Sequence, residues 1–187
     1  VAVSAADVTV SDASFDLSVT FTAPPYVITS VTAACDDMTG AMALSYLSAT
    51  SDDTATAMQT LPFSVRYFNA TATNFTVGSN GFVQLFTSST GTGSTSFSNV
   101  ALASSTVNGM VAPFWDDLAY ATGPAATLTV QTFGAAPNRR FVVQHADYMP
   151  YSVSTARLTF QTKFFEGSNV IETHYCSMTN SGTGTRH

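Results

Sequence analysis

Three acidic pairs carry the clearest chemical potential in this chain: Asp36-Asp37, Asp52-Asp53 and Asp116-Asp117. Calcium takes six to eight oxygens, usually several carboxylates with loop carbonyls. Three pairs in three loops could meet at one end of a β-fold, and Asp116 and Asp117 are the best candidates for such a metal site. Turn chemistry competes with this reading, because Asp in turns bonds its own backbone. The absence of EF-hand or Gly/Asp nonapeptide spacing favours the turn. His145 and Asp147 are placed on one face of a strand at i, i+2, and His174 lies on the last strand. No Gly-x-Ser-x-Gly turn presents a nucleophile, and neither His-Glu-x-x-His nor a zinc-type Cys/His spacing occurs. The only glutamates are Glu166 and Glu172. The expectation is therefore a non-enzymatic protein with no catalytic residue and no cofactor, calcium being the one candidate ion.

Other residues admit two readings each. Cys35 and Cys176 are either a disulfide or two buried thiols, and the extracellular style of the composition favours the bridge. Such a bridge would contribute on the order of 5 kcal/mol in the chain-entropy account. Arg139-Arg140 reads as a solvated turn with one arginine paired to an acid such as Asp116 or Asp117, against an anion or glycan site. Trp115, Phe114 and Phe82 read as core anchors, where large aromatics supply much of the buried area. A sugar-stacking platform at Trp115 is the sharper alternative. Asn69-Ala70-Thr71 and Asn74-Phe75-Thr76 match the N-glycosylation acceptor pattern.

The elements that must position these residues are strands. The 187 residues suit one domain, with or without an extension. Charged residues are only 10% against a usual quarter. Solubility rests instead on 29 Thr and 22 Ser, and threonine fits a pleated surface. The net charge is −6, and Lys163 is the single lysine. This excludes the basic footprint of a nucleic-acid binder and gives no attraction to an anionic membrane. No apolar run reaches the roughly 18 residues of a membrane span, and Val1 already begins a strand-like alternation, so a secretory leader would have been removed.

Val1 to Phe21 alternates, with Phe15, Leu17, Val19 and Phe21 opposite Asp16, Ser18 and Thr20. Tyr26 to Ala34 is a β-branched run, and Ala41 to Leu47 reads as a strand or one helical turn. Further strands are predicted at 64–68, 75–77, 82–86, 125–133, 140–148, 157–165 and 169–175, and Val107 to Phe114 holds a second Asn-Gly at Asn108-Gly109. Asn80-Gly81 is the strongest hairpin signal, and Ser88 to Ser98 reads as an exposed, mobile loop. The spacing predicts an all-β fold, an antiparallel β-sandwich of jelly-roll or immunoglobulin-like type. Residues 1–60 are expected to form an N-terminal strand extension with loops, packed on or swapped into a core module at 61–187. The polar end, Ser177 to His187, is expected to lack a closing strand, which leaves unpaired edge groups that are costly if buried and adhesive if exposed.

The motifs Leu61-Pro62-Phe63, Tyr67-Phe68, Ser79-Asn80-Gly81-Phe82, Ala112-Pro113-Phe114-Trp115-Asp116-Asp117-Leu118, Ala136-Pro137-Asn138-Arg139-Arg140-Phe141-Val142-Val143 and Ile171-Glu172-Thr173-His174-Tyr175 follow in that order. This order resembles the NIDO domain of nidogen-type matrix proteins and β-rich modules of secreted bacterial and archaeal surface proteins. The resemblance implies a non-enzymatic module of adhesion or matrix proteins, located outside the cell or at its surface. It implies no catalytic residue. The functional expectation is a structural subunit that self-associates through strand-to-strand contacts into a filament, sheath or matrix. A calcium-supported adhesin that binds glycans or matrix proteins is the alternative.

Overall fold

The computed structural model describes residues 27–32, 34–48, 52–99, 108–119, 126–151, 153 and 155–179. The alternating segment expected at 1–21 and the tail from 180 lie outside these residues. Ten strands are described: β1 (Met42–Ala43), β2 (Gln59–Tyr67), β3 (Ala70–Gly78), β4 (Phe82–Phe86), β5 (Met110–Val111), β6 (Leu118–Ala119), β7 (Thr127–Phe133), β8 (Arg140–Pro150), β9 (Arg157–Phe165) and β10 (Ile171–Thr179). No helix occurs among the described residues, so none is long and apolar enough to cross a membrane. Six strands form one antiparallel sheet in the order β1-β7-β8-β9-β10, with β6 paired to β8; four form a second in the order β2-β3-β4-β5. The protein is an all-β sandwich, as the alternation predicts.

Alternation decides which side chains meet between the layers. Leu61, Phe63, Val65, Phe75, Val77, Val83 and Leu85 of the four-stranded sheet pack with Leu128, Val130, Phe141, Val143 and Phe164 of the six-stranded sheet. Phe75 meets Phe141 edge-on at 5.2 Å between ring centroids. The centre of the core is thus this aromatic group. Trp115 is half-buried at one end, in a satellite cluster with Phe82 and Met110. A second satellite joins Leu118, Tyr148, Leu158 and Phe160, with Phe114 packed against it.

Pro62 sits where the β2–β3 register shifts between Thr60 and Val65, an irregular stretch of an edge strand that tolerates a missing N–H. Phe82–Phe86 and Arg157–Phe165 form strands as read, while β8 and β10 run further than predicted. The patch at 41–47 resolves as strand: Met42 and Ala43 pair with Val130 and Thr129, and Tyr46 bridges to Thr56. The β-branched run at 26–34 forms no strand among its described residues, which are all exposed. Strand propensity reflects fit to a half-buried surface, and residues 27–32 are exposed throughout.

Candidate functional site

Each sheet carries a cover on its outer face. On the six-stranded sheet, alternation turns Gln144 of β8, Gln161 and Lys163 of β9, and Glu172 and His174 of β10 away from the core. Cross-strand register places Gln144 opposite Gln161, Gln161 opposite His174, and Lys163 opposite Glu172. Residues 34–36 lie across this polar row. Gln161 accepts from the Asp36 N–H through Oε1 and donates to the Asp36 carbonyl through Nε2, both at 2.8 Å. His174 Nδ1 accepts from the Ala34 N–H at 3.0 Å, and Lys163 Nζ donates to the Ala34 carbonyl. Because Nδ1 accepts, the ring proton sits on Nε2 and points at Glu172, 2.7 Å away.

The Asp36 carboxylate completes this clasp. Lys163 Nζ lies 2.9 Å from Oδ2, and the Arg140 guanidinium holds both oxygens. Burial raises the Asp36 pKa, but these two cations outweigh it and hold the carboxyl below its ordinary value. Lys163 is almost wholly buried, with 4% of its side chain exposed. A buried ammonium persists only when paired and hydrogen-bonded, and the clasp supplies both. Cys35, between the two captured residues, is bonded to Cys176 of β10. The disulfide reading of the cysteines therefore holds over the buried-thiol reading, and Cys35 is exposed.

The arginines find other partners than the sequence suggested. Arg139 forms a fork on Glu166, at 2.8 Å and 2.6 Å, and draws the Glu166 pKa down to about 2. Arg140 reaches Asp36, 104 positions away in sequence. Neither takes Asp116 or Asp117, because the turn after β7 faces the turn after β9 rather than the 112–118 segment.

The four-stranded sheet is covered by the Ser/Thr/Gly segment read as an exposed, mobile loop. It is largely exposed, yet tied at three points. Ser94 N–H donates to Gln84 Oε1 at 2.8 Å, Thr95 O accepts from Asn80, and Ser96 O accepts from the Trp115 indole at 2.9 Å. Trp115 is half-buried against Phe82, and its N–H is spent on this loop. Asn80 is the hub beneath. Its amide reaches Asp53 Oδ1 at 2.9 Å, and its carbonyl accepts from the Leu118 N–H at 2.9 Å. Gly81 follows at φ 81°, and a Cβ there would lie 2.0 Å from the Phe114 carbonyl. The Ser-Asn-Gly-Phe and Ala-Pro-Phe-Trp-Asp-Asp-Leu motifs thus meet in the fold through Asn80 and Gly81.

The acidic pairs do not all converge. Asp52, Asp53 and Asp117 bring one carboxylate oxygen each within 4.8 Å of the others. Burial, then the neighbouring Asp53 charge, pushes the Asp52 pKa up, and Asp52 Oδ1 is buried without a hydrogen-bond partner. Asp36 is committed to the clasp, and Asp37 caps Thr39. Asp116 is buried and accepts from the Asp117 N–H at 3.0 Å, the turn chemistry considered above. Of the two residues nominated for calcium, only Asp117 joins the trio.

His145 and Asp147 do not share a face. Alternation with Phe141 and Val143 turns His145 into the core, and a bulge between His145 and Tyr148 puts Asp147 at φ 58°. His145 is fully buried, stacked on Phe160 at 4.7 Å, and both ring nitrogens lack hydrogen-bond partners. Burial pushes its pKa down to about 4, against a weaker opposing influence of the Gly78 backbone. Asn69 is exposed in the β2–β3 turn. Asn74 is buried, with its amide donating to Gln59 O, so only Asn69 is an accessible glycan acceptor.

Sequence reasoning missed Lys163, Gln161 and Asn80 as functional residues. The signal for the first two lay in β9, where they alternate with Phe160, Thr162 and Phe164.

Two covered sheets and a cross-linking disulfide make a β-sandwich consistent with an extracellular protein, since such bonds persist in oxidising compartments. The NIDO-related family profile matches residues 25–187, and the chain belongs to that family. No curated protein and no solved structure matches it.

Proposed function

We propose that this chain is a non-enzymatic structural or adhesive subunit at the cell surface or in an extracellular matrix. Its sandwiches join through strand-to-strand contacts into a filament, sheath or matrix. The observation that carries this reading is β10. It is nine residues long and stands at the edge of the six-stranded sheet with β9 as its only strand partner among the described residues. Glu172 is its one acidic residue, and it contains neither Lys, Arg nor Pro. Long edge strands are normally guarded by such residues or by bulges; β10 has only Glu172 and one register shift, between Tyr175 and Ser177, and so lightly guarded an edge invites another strand. Membership of the NIDO-related family supports an extracellular setting. Deleting residues 1–21, the alternating segment best suited to donate a strand, is expected to leave soluble monomers by light scattering. Undiminished assembly of the deletion variant, or a monomeric intact protein, contradicts the reading.

A second reading, calcium-supported adhesion, is favoured by the Asp52, Asp53 and Asp117 carboxylates and the partnerless Asp52 Oδ1. Three carboxylates supply about half a calcium shell, leaving the rest to carbonyls and water. A melting temperature unchanged between calcium and chelator removes this reading.

A further inference from the structure

The clasp on β8, β9 and β10 is built as a peptide-binding site. Its four main-chain bonds go to the N–H and C=O of Ala34 and of Asp36, residues i and i+2 of an extended segment. Its charges hold one carboxylate, and its cysteine holds one sulfur. Nothing in that chemistry requires the bound segment to come from the same molecule. We propose that the clasp takes residues 34–36 of a second copy of this chain, so that exchanged segments, sealed by Cys35–Cys176 bonds between copies, link neighbouring subunits.

Three further observations carry the inference, which rests on the self-assembly reading above. First, the segment has little apolar hold on its own body. Val27, Ile28 and Val31 are 85%, 95% and 50% exposed, an apolar surface that a second copy would cover. Secondly, the segment joins the body through a turn, where Ala41 N–H bonds Met38 O at 3.0 Å and Gly40 adopts φ 79° with open space around it. A turn of that kind is a hinge at which an identical element can be traded between protomers. Thirdly, Cys35 is exposed, so a thiolate can reach the bond.

The exchange is balanced. A small thiol such as glutathione, as its thiolate, attacks the Cys35 sulfur, forms a mixed disulfide and displaces the Cys176 thiolate. The Cys176 thiolate of another copy attacks that mixed disulfide at Cys35, and the small thiolate leaves. One disulfide is broken and one formed, with no net oxidation. The contact is heterologous, segment on one copy and clasp on the next, so it propagates unless two copies trade segments mutually.

The test uses the full chain in light and heavy nitrogen isotopes. Equal amounts are reduced, mixed, reoxidised with oxidised glutathione, capped, and digested without reduction for mass spectrometry. Peptides joining Cys35 to Cys176 are expected at hybrid mass, matching the two pure masses combined if every bond is between copies. Pure masses alone, or thiols that do not re-pair, overturn the proposal. Asp36→Ala is expected to lower the yield of hybrid peptide per chain several-fold. An unchanged yield identifies random thiol coupling and also overturns it. Polymer by light scattering without hybrid peptides refutes the exchange and leaves strand-to-strand assembly standing. Hybrids confined to closed dimers support the exchange and refute the polymer.

Discussion

The two covers of this sandwich are held by different physics. Over the six-stranded sheet, residues 34–36 are fixed by Arg140, Lys163, a carboxylate and a disulfide. Over the four-stranded sheet, residues 94–96 are fixed by neutral amides and an indole. A chain with one lysine and five arginines has thus placed two of its six cations under a single strap. The charged cover should respond to redox state and acid, and the neutral one should not. Their shared core should respond as one unit.

The largest effect is expected from breaking the covalent tie. The double variant Cys35→Ser, Cys176→Ser should lose up to about 5 kcal/mol of unfolding free energy in urea, the chain-entropy limit for so long a loop. Amide exchange should quicken at 34–37. Trp115, the only tryptophan, reports the other cover, so its native emission should stay unchanged. A shifted native emission would show that the covers are not independent.

Asn80→Ala is the converse cut. It strands the buried Leu118 N–H and frees Thr95 O, at a cost of about 3 kcal/mol. Here the Trp115 emission should move to the red while the Cys35–Cys176 bond and the exchange at 34–37 remain as in the parent.

Acid should act on the core before it acts on the clasp. His145 is held neutral in the folded state, at about 4 against 6.5 when exposed. The unfolded chain therefore binds the extra proton first. Stability is complete above pH 6.5, falls as pH drops towards 4, and is level below that from this group, a loss of about 3 kcal/mol. Asp36 acts in the other range: its lowered value gives stability that is present above the ordinary carboxylate pKa and lost below it. Urea titrations at several pH values should show the first loss, and His145→Leu should abolish it. A parent slope retained in that variant would place the sensitivity elsewhere.

The smallest effect concerns the acidic corner beside the neutral cover. Asp52→Asn removes a partly desolvated charge and its repulsion from Asp53, and should raise stability by about 0.5 kcal/mol in chelator. If the calcium reading holds, millimolar calcium should raise the parent melting temperature, and Asp117→Asn should remove that increment.

Strand identity was legible because alternation is local. Arg157 to Phe165 reads as a strand from its own residues, and it is one. The NIDO resemblance was likewise legible, since motif order survives without coordinates. What was not legible depends on distant partners. Asn80-Gly81 announces a turn, but its buried amide is a hub only because residues 53, 95 and 118 arrive around it. Asp36 belonged to one of three acidic pairs, with nothing in the sequence to single it out, until sheet order brought Arg140 and Lys163 beneath it. Asp147 left the face of His145 because a bulge, invisible to a period of two, inserts between them. Trp115 lies half-buried against Phe82 and Met110 rather than in the main core, and its N–H is taken by the distant Ser96 carbonyl.

Self-association is the property on which the proposed role depends, and electron microscopy of the native material tests it most directly. Ordered filaments, sheets or a continuous matrix of repeating sandwich-sized units are the expected image. Dispersed single particles at every concentration would contradict it.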